Sequence, residues 1–162
     1  MEHPPATPEQ LDVAEALLVG WLEREQVDNP AVASVERDTT HDRRWYVRLR
    51  GEEREFFSAL FTLGQRTLSF DSYYLPAPLE NHGQFYAHLL RRNRTMYGGS
   101  FNIGPEDAIY ITGQHPVHTL TEVDLDRMLG SLYAWVEQSF RTALRLGFGS
   151  HFTPPPAPDA SA

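Results

Sequence analysis

The sequence predicts an α+β fold in which helices pack on one face of an antiparallel sheet. Three observations carry that prediction. Apolar residues recur with a helical period at both ends of the chain and once in the middle, and they alternate or run together in the stretches between. The strand-like stretches are joined by short glycine-containing turns, which connect strands antiparallel. The strand–helix–strand units that build a parallel sheet are missing. With 162 residues, 41% of them apolar and 12% aromatic, the chain is long enough for one domain with its own core.

Thr7 is placed to cap a first helix, Pro8 suits its first position, and Gln10 sits three residues after the cap. Leu11, Ala14, Leu17, Leu18, Trp21 and Leu22 form its apolar stripe, and Asp28-Asn29-Pro30 ends it. Residues 31–37 form a weak strand. Arg43 to Arg50 alternates, with Trp45, Val47 and Leu49 on one side and Arg44, Tyr46, Arg48 and Arg50 on the other. Glu55 to Leu63 is apolar on both faces, as expected of an interior strand. Gly64-Gln65 fits a two-residue hairpin loop, and Arg66 to Tyr74 returns from it. A second helix is expected from near Leu79 to about Asn93, burying Phe85, Leu89 and Leu90. Gly98 to Ile103 and Ala108 to Thr112 form a further hairpin around Gly104-Pro105-Glu106-Asp107. Thr121, with Asp124 three residues on, caps a long last helix striped by Leu125, Met128, Leu129, Leu132, Val136, Phe140 and Leu144, which Gly147 is expected to stop. Residues 1–6 and the Pro/Ala-rich stretch 150–162 offer nothing to bury, so both are expected to be disordered around a single domain at 7–149.

The charge is unevenly placed. All 14 basic residues are arginine, against 22 carboxylates, for a net charge of −8. Residues 1–42 hold ten carboxylates and two arginines, Arg24 and Arg37, whereas residues 43–162 hold twelve of each. Such a chain repels duplex DNA and attracts basic partners. Met1-Glu2-His3-Pro4-Pro5 has neither the basic start nor the apolar stretch of a signal peptide, so a cytoplasmic protein is expected.

The residue patterns that carry chemistry are weak. With no cysteine, disulfides, thiol catalysis and thiolate metal sites are excluded. His115-Pro116-Val117-His118 is the best metal candidate, but it is read as a loop without a third ligand. His82 and His88 fall on different faces of the second helix. Asp124, Asp126, Glu106 and Asp107 read as caps or solvated charges. There is no nucleophile elbow, and no lysine to complete a phosphate loop. The stripe Arg44, Tyr46, Arg48 and Arg50 is the candidate binding surface. It could pair internally with the acidic first helix, face a protein partner, or hold single-stranded nucleic acid through phosphate pairing and base stacking.

A longer pattern runs through the chain. Ala77-Pro78, Glu80-Asn81-His82, Tyr86, Leu89-Leu90-Arg91-Arg92-Asn93, Met96-Tyr97-Gly98, Phe101, Asp107, Ile109-Tyr110, Gly113, Pro116, Thr121, Asp126-Arg127, Leu129-Gly130 and Leu146-Gly147-Phe148 resemble the YbjN family of bacterial sensory transduction regulators. The strand Arg44-Trp45-Tyr46-Val47-Arg48-Leu49 is also similar to its GC-rich bacterial branch, and the resemblance covers about residues 8–149. It implies a fold like that of type III secretion chaperones, with N-terminal, middle and long C-terminal helices on a twisted antiparallel sheet, and a homodimer. It implies no enzyme activity, catalytic residue, metal or cofactor. Asn81, Asn93 and Gly98 read as helix caps and a backbone position needing freedom. The expected function is an adaptor or chaperone-like regulator of a client protein, plausibly a basic one that handles nucleic acid. Direct single-stranded nucleic-acid binding, or an enzyme with an unrecognised site, are the alternatives.

Overall fold

The computed structural model describes residues 3–151. Helix α1 (Pro8–Asp28) leads into strands β1 (Val32–Arg37), β2 (Arg44–Arg50), β3 (Phe56–Leu63) and β4 (Thr67–Leu75). Then come α2 (His82–Asn93), β5 (Gly99–Ile103), β6 (Ile109–Pro116) and α3 (Glu122–Phe148). The six strands form one antiparallel sheet in the order β1-β2-β3-β4-β6-β5.

Both long helices begin as their sequences predict. Thr7 accepts from the Gln10 N–H and Gln10 accepts from the Thr7 N–H; Thr121 and Asp124 close the same reciprocal box on α3. Each such cap is worth about 1 kcal/mol.

The three helices cover one face of the sheet. Val47, Leu49, Phe57, Ala59, Phe61, Leu68, Phe70, Tyr74 and Ile111 point into that layer and are buried against Leu18, Trp21, Phe85, Leu125, Leu132 and Val136. Trp21 donates from Nε1 to Asp126 Oδ1 at 2.8 Å, tying α1 to α3. The Tyr74 hydroxyl and Ser139 Oγ lie 2.7 Å apart in the core, and burial pushes the tyrosine pKa up to about 12.

The opposite face is open, and β3 is an interior strand as expected. β3 is interior only in the plane of the sheet, with hydrogen-bonded strands on both sides. Phe57, Ala59, Phe61 and Leu63 are buried, whereas Phe56, Ser58, Leu60 and Thr62 turn to the uncovered side.

Other boundaries differ for local reasons. The Gly64 N–H bonds the Thr67 carbonyl, so the hairpin turns at Gln65-Arg66 and not at Gly64-Gln65. α2 starts at His82 because Asn81 before it is in the left-handed region, at φ +51°, outside helical space. Leu90, expected in the core, is 66% exposed. β6 continues past Thr112 to Pro116 along the full length of β4, which brings His115 onto a strand. Gly147 does not stop α3, which runs to Phe148. A Cβ at Gly147 would lie 2.8 Å from the Phe85 ring and 3.1 Å from Pro78, so this glycine permits close packing of α3 on the segment before α2. Gly98, at φ +82°, has the backbone freedom its turn demands.

Residues 3–6, expected to be loose, are held. The Ala6 N–H donates to the Gln65 carbonyl at 2.8 Å and Ala6 is buried. Arg66 donates to the His3 carbonyl and His118 Nε2 to that of Pro4. At the other end, Ser150 bonds Glu80 through its N–H and hydroxyl. The proline-rich stretch expected to be disordered lies outside the described residues from 152 onward.

Candidate functional site

The stripe Arg44, Tyr46, Arg48 and Arg50 lies on β2 and faces the open side of the sheet. It does not pair with the acidic helix, because α1 lies across the other face. There Asp12 and Glu15 pair with Arg43, and Glu15 also with Arg37, whose guanidinium sits 4.9 Å above the Trp45 ring. The stripe instead divides in two. Asp38, in the β1–β2 loop, holds the near end: Tyr46 Oη donates to it at 3.3 Å and Arg44 lies at 4.0 Å. Hydrogen bonds from the Thr40 N–H and hydroxyl keep the Asp38 carboxyl below its ordinary value. At the far end Arg48 and Arg50 stack over the Phe56 ring, at 4.2 and 5.9 Å, and neither meets a carboxylate among the described residues.

Beyond β2 the open face carries Leu60 and Thr62, then Ser69, Asp71 and Tyr73, then Tyr110, Thr112 and Gln114, with Ser100 and Asn102 at the far edge. Tyr73 and Tyr110 meet edge to face at 5.6 Å. Partial burial pushes the Asp71 carboxyl above its ordinary value. The surface mixes polar, charged and aromatic side chains, and Ser69, Asp71, Ser100, Thr112 and Gln114 line an open cleft of about 580 Å³ on it.

The two sheet edges are not equivalent. The Asp38 N–H donates to the Arg44 carbonyl. By the two-residue alternation of an antiparallel pair, Glu36 and Ser34 then bond to β2, while Val35 and Arg37 turn their N–H and C=O groups outward. At the other edge the Phe101 backbone points outward and is already occupied. Its N–H donates to Asn93 Oδ1 at 2.7 Å and its carbonyl accepts from Asn93 Nδ2 at 3.1 Å. The Asn93 carboxamide thus imitates a neighbouring strand and seals β5 at its middle. Asn93 was expected to be a helix cap; its partner lies eight residues on, across a turn, where no local pattern points.

The remaining candidates scatter. His115 lies 3.3 Å from Asp124, whereas His118 reaches Pro4, so the pair does not converge. His82 is exposed and His88 half-buried on α2. No group of three or more potential metal ligands occurs among the described residues. Asp124 serves the cap and Arg127, and Asp126 serves Trp21. Asn81 caps α2 by its backbone only; its side chain donates to the Leu146 carbonyl. No helix among the described residues is long and apolar enough to cross a membrane.

With this geometry in view, the comparisons with known proteins agree with one another. Among solved structures, the crystal structure of the ExsC–ExsE complex superposes with a TM-score of 0.56 at 16% identity, over 81% of this chain and 93% of that one. That likeness shows the shared α+β fold. The chain is 33% identical over 107 residues to the uncharacterized protein ML2442 of Mycobacterium leprae, a match covering 66% of this chain and 58% of that protein. It is 31% identical over 104 residues to the uncharacterized protein Rv0487 of Mycobacterium tuberculosis, covering 64% of this chain and 57% of that one. The chain therefore spans less than three-fifths of the length of these relatives. The family model YbjN, described as "Putative bacterial sensory transduction regulator", matches residues 15–145. That span takes in the whole sheet, α2 and most of α1 and α3, and the chain belongs to the YbjN family.

Proposed function

We propose that the chain is a non-enzymatic protein-binding module, a cytoplasmic adaptor or chaperone-like regulator, that holds an extended segment of a client protein along β1. The observation that carries this reading is the asymmetry of the edges: β1 offers unpaired backbone groups at Val35 and Arg37, while Asn93 closes β5. An added strand gains main-chain hydrogen bonds there and reads side chains at every second position. Its outward side chains pass beside Ser34 and Glu36, within one strand of Tyr46 and Arg48. The client is basic, because the edge adjoins the segment that holds ten carboxylates against two arginines. The known structure of similar fold is described as a complex of two proteins, which supports a protein partner.

The chain also works as a homodimer in this reading. Leu90 and Ile103, 66% and 58% exposed, flank an apolar groove between α2 and β5 formed with Tyr86 and Leu89. The sealed β5 edge takes no further strand, so the groove suits side chains from a rigid surface. Knob and groove lie on one patch, as a twofold interface requires. Light scattering that gives 18.5 kDa at every concentration refutes the dimer.

A peptide of about ten residues alternating Arg and Val serves as the client probe, since alternate residues of an added strand share a face. Hydrogen exchange should slow at the amides of Val35 and Arg37 when it binds. Val35→Pro removes an outward N–H without breaking the β1–β2 ladder, as edge prolines do. The folded variant should no longer bind the peptide, and equal binding by it overturns the reading. The second reading, single-stranded nucleic acid on Arg48, Arg50 and Phe56, is favoured by the two arginines free of carboxylates. It predicts salt-sensitive retention of single-stranded DNA that Arg48→Gln with Arg50→Gln abolishes.

A further inference from the structure

We propose that the cleft between α2 and the C-terminal part of α3 binds a phosphate monoester or free phosphate. The site is separate from β1 and does not depend on the client reading. The cleft is open to solvent and has a volume of about 590 Å³. Gly83 and Ala87 leave room along one ridge of α2, and His88, Arg91, Arg92 and Thr95 stand around that space. Positions 84, 88, 91 and 92 recur at three- and four-residue steps on α2, so they share one helix face, and Thr95 follows in the turn after the helix.

Every ionisable side chain lining the cleft is basic. Arg91 and Arg92 pair with no carboxylate among the described residues; the nearest polar partner of Arg92 is Gln138 Oε1 at 3.3 Å. Arg145 of α3 joins Arg92 in the positive field at His88. The dipole of a helix favours cations in its last turn, which suits Arg91 and Arg92 on α2 and Arg145 on α3. The dipole does not require Arg91 and Arg92 to line a common space with His88 and without a carboxylate, in a chain with a net charge of −8. His88 completes the wall. Its Nε2 is buried without a hydrogen-bond partner. Burial and the neighbouring Arg92 and Arg145 charges hold its pKa below the ordinary value. A dianion in the cleft supplies the counter-charge that the protonated ring lacks. Phosphate fits better than a carboxylate, because two guanidinium forks can share its three or more oxygens.

The test follows the His88 imidazole resonances of the full chain by NMR during titration with inorganic phosphate, phosphoserine, and a serine-phosphorylated peptide beside its unmodified form. Saturable shifts and a raised His88 pKa are expected with phosphate and phosphoserine. Arg91→Gln and Arg92→Gln should each weaken binding about 10-fold or more while the melting temperature holds. Stronger binding of the phosphopeptide than of phosphoserine identifies a phosphorylated protein as the source, and equal binding identifies a free small phosphate. A shift no larger than that caused by chloride at equal ionic strength overturns the proposal. So does undiminished binding in the folded double variant.

Discussion

Replacing Asn93 with alanine tests whether a side chain closes the β5 edge. The substitution deletes two hydrogen bonds, one from the Phe101 N–H at 2.7 Å and one to its carbonyl at 3.1 Å. Each is worth about 1 kcal/mol net. Phe101 is buried, so water restores little of the loss. Alanine in the last residue of α2 returns about 0.5 kcal/mol in helix propensity. The net cost is about 1.5 kcal/mol, which with a urea m-value of roughly 2 kcal/mol/M lowers the midpoint by about 0.7 M. Asn93→Asp sharpens the test. It retains an acceptor for the Phe101 N–H but sets a carboxylate oxygen against the Phe101 carbonyl, so it should cost at least as much as alanine. Unsealing the edge should also make the protein associate through β5, seen as mass rising with concentration beyond that of the wild type. If Asn93→Ala stays within about 0.5 kcal/mol of the wild type, inside the range of ordinary surface changes, and keeps its oligomeric state, the seal is not what the hydrogen bonds suggest.

Three further outcomes are expected. Thr121→Ala removes the cap of α3 and should destabilise by about 1 kcal/mol in urea melts, with far-UV helicity nearly kept. The folded-state pKa of Asp71 is raised above 3.8 by burial, so its ionised form opposes folding and that penalty develops as pH rises through the window just above 3.8. Asp71→Asn should therefore raise the melting temperature at neutral pH, with the gain fading as pH falls toward 3.8; a gain that persists in acid contradicts the assignment. Leu90→Glu places a charge on the groove beside Ile103 and should shift the protein to a monomer in analytical ultracentrifugation without lowering its melting temperature, because Leu90 is exposed in the single chain.

Local patterns carried the elements of this protein. The capping boxes at Thr7 and Thr121, the alternation of Trp45, Val47 and Leu49, and the stripe of α3 are set by residues within a turn or two of one another, so a linear reading finds them. Periodicity and the short turns carried the α+β class with helices on one face, and the long residue pattern carried the family. The tertiary structure decided what depends on distant neighbours. Phe56 and Leu60 look like core residues in sequence, yet among the described residues no helix lies over their side of β3. Gly147 looks like a helix stop, but its lack of a side chain serves Phe85, sixty-two positions away. The role of Asn93 exists only because a turn carries Phe101 back beside it. Periodicity reports which face of an element is apolar. Which edges stay open and which charges go unpaired depend on contacts between elements, and those are made only when the chain has closed on itself.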